Sequence, residues 1–214
     1  MTLYLHFKAP FGAFKPFQSV EMLATTAFVT HSAAYGLLLG LAGVDRDRKD
    51  EFIGAQIAVG MARMPKRGRT YHQLHVIPQT PTKDEIERAK GTKQRIRPYW
   101  REVLISLEGC IGLKDERLES LVRQGVDEPQ SLDYWGLPFM GDNNFFLERL
   151  DVIPEPEKCQ WFCPLEPENV GRDDRYIYLS IWTDYASGEA SNSLLFSIRN
   201  DLNKAWVTIE KKQP

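Results

Sequence analysis

Three features of the amino-acid sequence predict an α+β fold. An alternating apolar strand opens the chain, and an apolar helix with capping residues at both ends follows it. The order strand, helix, strand, strand, helix then continues into further strands. The arrangement that satisfies this order places helices on one face of an antiparallel sheet around a ferredoxin-like βαββαβ core. The chain of 214 residues fits a single domain, 1–214, and its 43% hydrophobic content, with eleven Phe, eight Tyr and five Trp, excludes global disorder.

Residues 3–8 alternate as a half-buried strand, and Pro10-Phe11-Gly12-Ala13-Phe14-Lys15-Pro16-Phe17 is expected to leave it as an aromatic, basic loop. Thr30 to Gly43 opens with hydroxyl residues suited to an N-cap and closes with a glycine suited to a helix end. Gly36 and Gly40, four apart, are expected to let another backbone approach that helix. Residues 55–62 read as the second strand, and Arg101 to Leu107 as a strand able to pair with it. Asp115 to Gln124 carries Leu118, Leu121 and Val122 at helical spacing. The aromatic stretch Tyr134 to Phe146 is irregular and expected to be mostly core. Strands recur at Arg175–Trp182, Ser193–Ile198 and Ala205–Ile209, and no internal repeat is present.

Charge is unevenly spread. Residues 63–101 carry eleven Lys and Arg against three acids, a net +8, so the rest of a chain of net charge −2 carries −10. A connection this long between two strands is usually functional. Interleaved Tyr71, His72, His75, Tyr99 and Trp100 give it the pairing of phosphate-neutralising cations with stacking surfaces that single-stranded nucleic acid requires.

Catalytic signals are weaker. His31 with Tyr35 four residues on, or Tyr71 with His72, would supply groups for metal-independent RNA cleavage, but neither spacing demands it. Cys110, Cys159 and Cys163 match neither a disulfide framework nor a zinc site, and no Walker, H-E-x-x-H or G-x-S-x-G motif occurs. No metal or cofactor is expected. The longest apolar run, Ala33 to Val44, is shorter than the about twenty residues of a membrane span. With no signal-peptide pattern at the start, the expected setting is cytoplasmic and reducing.

Three segments resemble the Cas-five family, the RAMP-superfamily subunits of type I CRISPR Cascade surveillance complexes. Leu3 to Phe14 looks like that family's first strand and its F-G or F-x-x-F turn. Ser32 to Gly43 is similar to its S/T-x-x-x-G-L-L helix, and Tyr134-Trp135-Gly136-Leu137-Pro138-Phe139-Met140-Gly141 to its Y-x-G-x-x-x-x-G segment. The resemblance implies an RNA-recognition-type (RAMP) fold in which 63–101 is a β-hairpin thumb. It implies a non-catalytic ribonucleoprotein subunit that caps the 5′ handle of the CRISPR RNA, acts in antiviral defence, and meets a Cas-seven type backbone subunit, a Cas-eight type large subunit and target DNA near the seed. On this reading the RNA contacts come from Phe11, Phe14, Lys15, His31 and Tyr35, and from Arg63, Lys66, Arg67, Arg69, Tyr71, His72, Lys93, Arg95 and Arg97 of the thumb. Trp135, Asn143 and Asn144 complete the set. The alternative is a metal-independent endoribonuclease cutting repeat RNA, since some members of the family do this.

Overall fold

The structure, a computed structural model, describes residues 2–16, 24–75, 96–133, 136–156, 158–165, 176–184 and 190–211, with the backbone alone at 72–75, 96–99 and 190–191. Strands β1 (Leu3–Gly12), β2 (Gln56–Met61), β3 (Lys66–His75), β4 (Ile96–Lys114) and β5 (Arg149–Ile153) surround helices α1 (His31–Leu41) and α2 (Glu116–Asp127) in sequence. After them come β6 (Gln160–Pro164), β7 (Tyr176–Thr183), β8 (Ala190–Arg199) and the short β9 (Val207–Thr208). The sheet runs β5-β1-β4-β2-β6-β8-β7, with β3 on β4 and β9 on β2, and every pairing is antiparallel. Its first four strands have the ferredoxin-like order, so the expected α+β core is present. Among the described residues no helix is long and apolar enough to cross a membrane.

In β1, Leu3, Leu5, Phe7 and Ala9 are buried while Tyr4, His6 and Lys8 are half-buried, which is the alternation a one-sided strand needs. The strand continues through Phe11 and Gly12, which pair with Ile105 and Leu104, so the expected loop begins later than the proline suggests. Beyond Lys8, β1 has no β5 partner, and Pro10 on that open side has no amide hydrogen to withhold from a ladder.

Helix α1 starts with Thr30, whose Oγ1 accepts from the Ala33 N–H at 3.1 Å. It ends in a Schellman motif: Gly43, at φ 68°, donates to Gly40 O and Val44 donates to Leu39 O at 2.9 Å. Helix α2 is capped by Asp115, which accepts from Leu118 N–H at 2.8 Å, and buries Leu118 and Val122. The helices touch at Gly125, where a Cβ would lie 1.6 Å from the carbonyl oxygen of Leu41. The expected approach at Gly40 is not there, because a Cβ at that position meets nothing within 4 Å.

The segment expected as a strand at 101–107 is the middle of β4, a strand of 19 residues. Its partners for β2 are Gly109 to Lys114, whereas Ile96 to Ile105 pair with β3. Gly109 and Gly112, beyond the expected end at Leu107, are both strand interior. A Cβ at Gly109 would lie 2.2 Å from Gly60 O, and one at Gly112 would lie 2.7 Å from the Trp206 ring.

The main core lies between the helices and one sheet face, joining Leu3, Leu5, Phe7, Leu38, Ile57, Ile111, Leu118, Phe162 and Phe196. A second, smaller cluster covers part of the opposite face with Ala58, Cys110, Cys159, Trp161, Cys163 and Ala205. β5 and β6 were not anticipated, and of Ala205–Ile209 just Val207–Thr208 is strand.

Candidate nucleic-acid interface

The basic excursion is an antiparallel hairpin at its root. Lys66 pairs with Ile105 and the ladder runs unbroken to His75 opposite Ile96. Ten residues of strand make a ladder roughly 30 Å long, whose base pairs with the buried Val103 and Leu104. Residues 76–95 lie outside the described residues, and with them the expected contacts of Lys93 and Arg95; for His72 and Arg97 the backbone alone is described. Trp135 also lies outside.

Side-chain alternation sorts the root's cations onto different faces. Arg67, Arg69 and Tyr71 share one face with Leu104, Glu102 and Trp100, their cross-strand partners. Tyr71 and Trp100 are 54% and 55% exposed and meet edge to face with centroids 5.4 Å apart. Arg67 and Arg69 flank Glu102 at 3.8 Å each, while more than half of each arginine stays in solvent. Glu102 is held in turn by the Thr25 N–H at 3.5 Å. The result is an exposed strip of two aromatic rings beside two guanidinium groups on a paired ladder. Lys66 points to the other face, and Arg63, in the turn after β2, approaches Glu108 at 3.6 Å, so the four expected cations do not act as one group.

On the face opposite the strip, Arg101 is hydrogen-bonded to Asp142 and lies over the Phe145 ring at 5.6 Å. Burial acts to raise the Asp142 pKa, but the Asn144 N–H and the Arg101 charge outweigh it and hold the carboxyl below its ordinary value. Asn144 donates twice to Asp142 Oδ1, so it builds the turn, and Asn143 is exposed beside it. Phe11, 41% exposed, meets Phe145 at 6.0 Å. The expectation of a mostly buried aromatic segment fails here. Phe139 and Phe146 bridge each other at the surface, 38% and 49% exposed, and Met140 is the buried anchor. Gly141, at φ 77°, lets that anchor close on β1, since a Cβ would lie 2.1 Å from Ala13 O.

Three expected contacts are corrected. His31 is fully buried, stacked on Phe196 at 4.6 Å, and neither ring nitrogen has a hydrogen-bond partner among the described residues. Tyr35 is 3% exposed, its hydroxyl donates to Lys49 O, and burial first, then Asp50 and Asp115, pushes its pKa far up. Phe14 is also in the core at 3%. Spacing of four on a helix says that His31 and Tyr35 share a face, but here that face is inward.

Burial lowers the His31 pKa to about 3 from its ordinary 6.5. The unfolded chain therefore takes up this proton first, and stability falls as pH drops below about 6.5. Between pH 7 and pH 5 the loss expected from this group is about 2 kcal/mol. Denaturant titrations of the wild type and of His31→Phe should diverge over that window, the variant keeping its stability; parallel curves would show that His31 gains a proton without penalty.

A cleft of about 370 Å³ lies between the outer face of α1 and the loop that precedes β5. Its walls include Ser32, Ala33, Gly36 and Gly40 of α1, Leu137 to Phe139 of the loop, and Phe14 with Lys15 after β1. Arg46 and Lys49 stand at its border, Lys49 lying 3.8 Å over the Trp182 ring and donating to Thr183 O. Partial burial lowers the Lys49 pKa. The three segments that carried the resemblance in the sequence thus converge on one cleft.

These features define a class, an antiparallel α+β protein with a ferredoxin-like core, a protruding basic hairpin and a cleft beside its first helix. The fold is shared with solved structures. One chain of a CRISPR RNA-guided surveillance complex aligns with TM-score 0.58 at 15% identity, over 98% of this chain and 90% of that one. A Cas protein crystal structure aligns with TM-score 0.53 at 13% identity, over 99% and 96%. No protein-family model matches the sequence, and no curated protein matches it. At these identities the likeness is one of fold.

Proposed function

We propose that the chain is a non-catalytic RNA-binding subunit of a type I CRISPR surveillance complex, of the Cas-five kind, and that it holds the 5′ handle of the CRISPR RNA. The observation that carries this reading is the convergence of Lys15, the α1 face and Leu137–Phe139 on one cleft bordered by cations. Its apolar walls suit the face of an unstacked base, and its Lys and Arg suit the backbone phosphate. The thumb strip of Arg67, Arg69, Tyr71 and Trp100 meets the guide where it leaves the handle. The fold shared with a chain of a surveillance complex supports the same role. Backbone and large subunits, and target DNA near the seed, are the partners this reading assigns. His31, sealed in the core, is withdrawn from RNA chemistry.

Deleting the handle from the guide should weaken binding far more than an equal truncation at the 3′ end; equal losses would reject handle capture. A second measurement isolates the cleft. Gly40→Leu places its side chain where a Cβ meets nothing within 4 Å, so the fold should persist while the cleft fills and handle affinity drops at least about tenfold. Unchanged affinity would put the handle elsewhere. Incubating the protein with repeat RNA in EDTA should leave the RNA intact, and a specific cut would replace the binding reading with the nuclease one.

A further inference from the structure

We propose that Cys110 and Cys159 are a redox-active dithiol that closes into a disulfide between the core sheet and the chain entering β6. Their sulfurs are 3.3 Å apart and both residues are buried. Cys110 sits inside β4 directly opposite Gly60 of β2, and Gly60 in turn pairs with Trp161 of β6, two residues after Cys159. The glycine makes the meeting possible. A Cβ at position 60 would stand 3.0 Å from the Cys159 Cβ and 2.9 Å from the Trp161 ring, so the missing side chain leaves the lane through which the two thiols touch across β2.

Closing from 3.3 Å to the roughly 2.05 Å of a disulfide needs about 1.3 Å of side-chain movement. Cys163, the third thiol of the cluster, is turned away: its Sγ donates to the Asp201 and Trp161 carbonyls at 3.4 and 3.8 Å. Burial, with the charge of Asp201, also raises its pKa, so it stays a thiol.

The oxidant is a low-molecular-weight disulfide. Cys159, 6% exposed against 0% for Cys110, is the outer residue of the pair. Its thiolate attacks one sulfur of the reagent, whose S–S bond breaks and releases one thiolate. The Cys110 thiolate then attacks the Cys159 sulfur of the mixed disulfide and releases the second. Two protein thiols and one reagent disulfide become one protein disulfide and two reagent thiols, with two electrons passing to the reagent. The bond would join positions 49 apart in sequence and fasten β6, with the β8–β7 hairpin beyond it, to β4. Under reducing conditions the pair remains open.

The test uses the full-length chain. After incubation with oxidised glutathione the protein is alkylated in denaturant, digested without reduction and mapped by mass spectrometry. The expected product is a single cross-linked peptide pair containing Cys110 and Cys159, with Cys163 alkylated, a rise in melting temperature, and reversal of both by dithiothreitol. Cys163→Ala should preserve the cross-link and Cys110→Ala should abolish it. Alkylation of both Cys110 and Cys159 after oxidation, a cross-link to Cys163, or glutathione left on Cys159 would each overturn the proposal, and none depends on a variant folding.

Discussion

Replacing Tyr71 and Trp100 together by alanine is expected to weaken single-stranded RNA binding by about 30-fold or more, because an aromatic platform contributes on the order of 1–3 kcal/mol for each stacked base. Both rings are more than half exposed, and their edge-to-face contact is made across a paired ladder, so removing them takes away exposed surface and little core. The fold should keep its melting temperature within a few degrees. Arg67→Ala with Arg69→Ala should act differently, lowering the slope of log K against log salt by about 1.4 if each arginine releases one phosphate contact. Fluorescence anisotropy over a salt series separates the two effects. If the aromatic variant binds RNA as the wild type does, the pair does not stack on RNA. If the arginine variant keeps its slope, Glu102 already neutralises both guanidinium groups.

Gly125→Ala is expected to be strongly destabilising. The added carbon would lie 1.6 Å from the Leu41 carbonyl oxygen and 2.8 Å from its carbon, and these are backbone atoms at a helix end that cannot rotate aside. Relief requires α2 to move off α1 by more than an ångström, opening the core around Leu118 and Val122. The cost should be about 3 kcal/mol or more, seen as a fall in melting temperature of roughly 6–12 °C for a chain of this size. Gly40→Ala is the matched control, with space around it and a better helix former in place of glycine, and should stabilise by about 0.5–1 kcal/mol. A Gly125→Ala protein that melts with the wild type would mean that the helices are not in contact there.

What could be read from the sequence follows the physics of each signal. The alternation of Leu3, Leu5 and Phe7 marked a one-sided strand, and Thr30, Gly43 and Asp115 marked helix ends, because these are local rules that hold wherever the chain goes. The charge of 63–101 was legible for the same reason. The expected strand stopped at Leu107, short of Gly109 and Gly112, which accommodate a neighbouring strand and a tryptophan that the sequence does not display as neighbours. β5 was hidden because an edge strand with Arg149 and Asp151 pointing outward lacks a buried alternation. The site was harder still. His31, Tyr35 and Phe14 are residue types that bind RNA elsewhere, but which face of a helix turns inward is settled by packing. Phe139 and Phe146 erred the other way, being large and apolar yet at the surface. The Tyr71–Trp100 pair depends on hairpin register, which a long connection does not specify.

Ser106 stands at φ 59°, level with Pro10 on the neighbouring strand, and at that level the inward side of both strands changes parity. Below it Leu107, Ile111 and Leu113 face the core from odd positions; above it Leu104 does so from an even one. Register on either side stays constant, so this one joint decides which way the whole hairpin is rolled about its long axis. Length changes between the two thumb strands leave that roll untouched, whereas the loss of a single residue at the joint would turn Tyr71 and Trp100 to the opposite side. The hairpin is therefore a tool on a keyed shaft: the socket at Pro10 and Ser106 sets which way its two paired strands point.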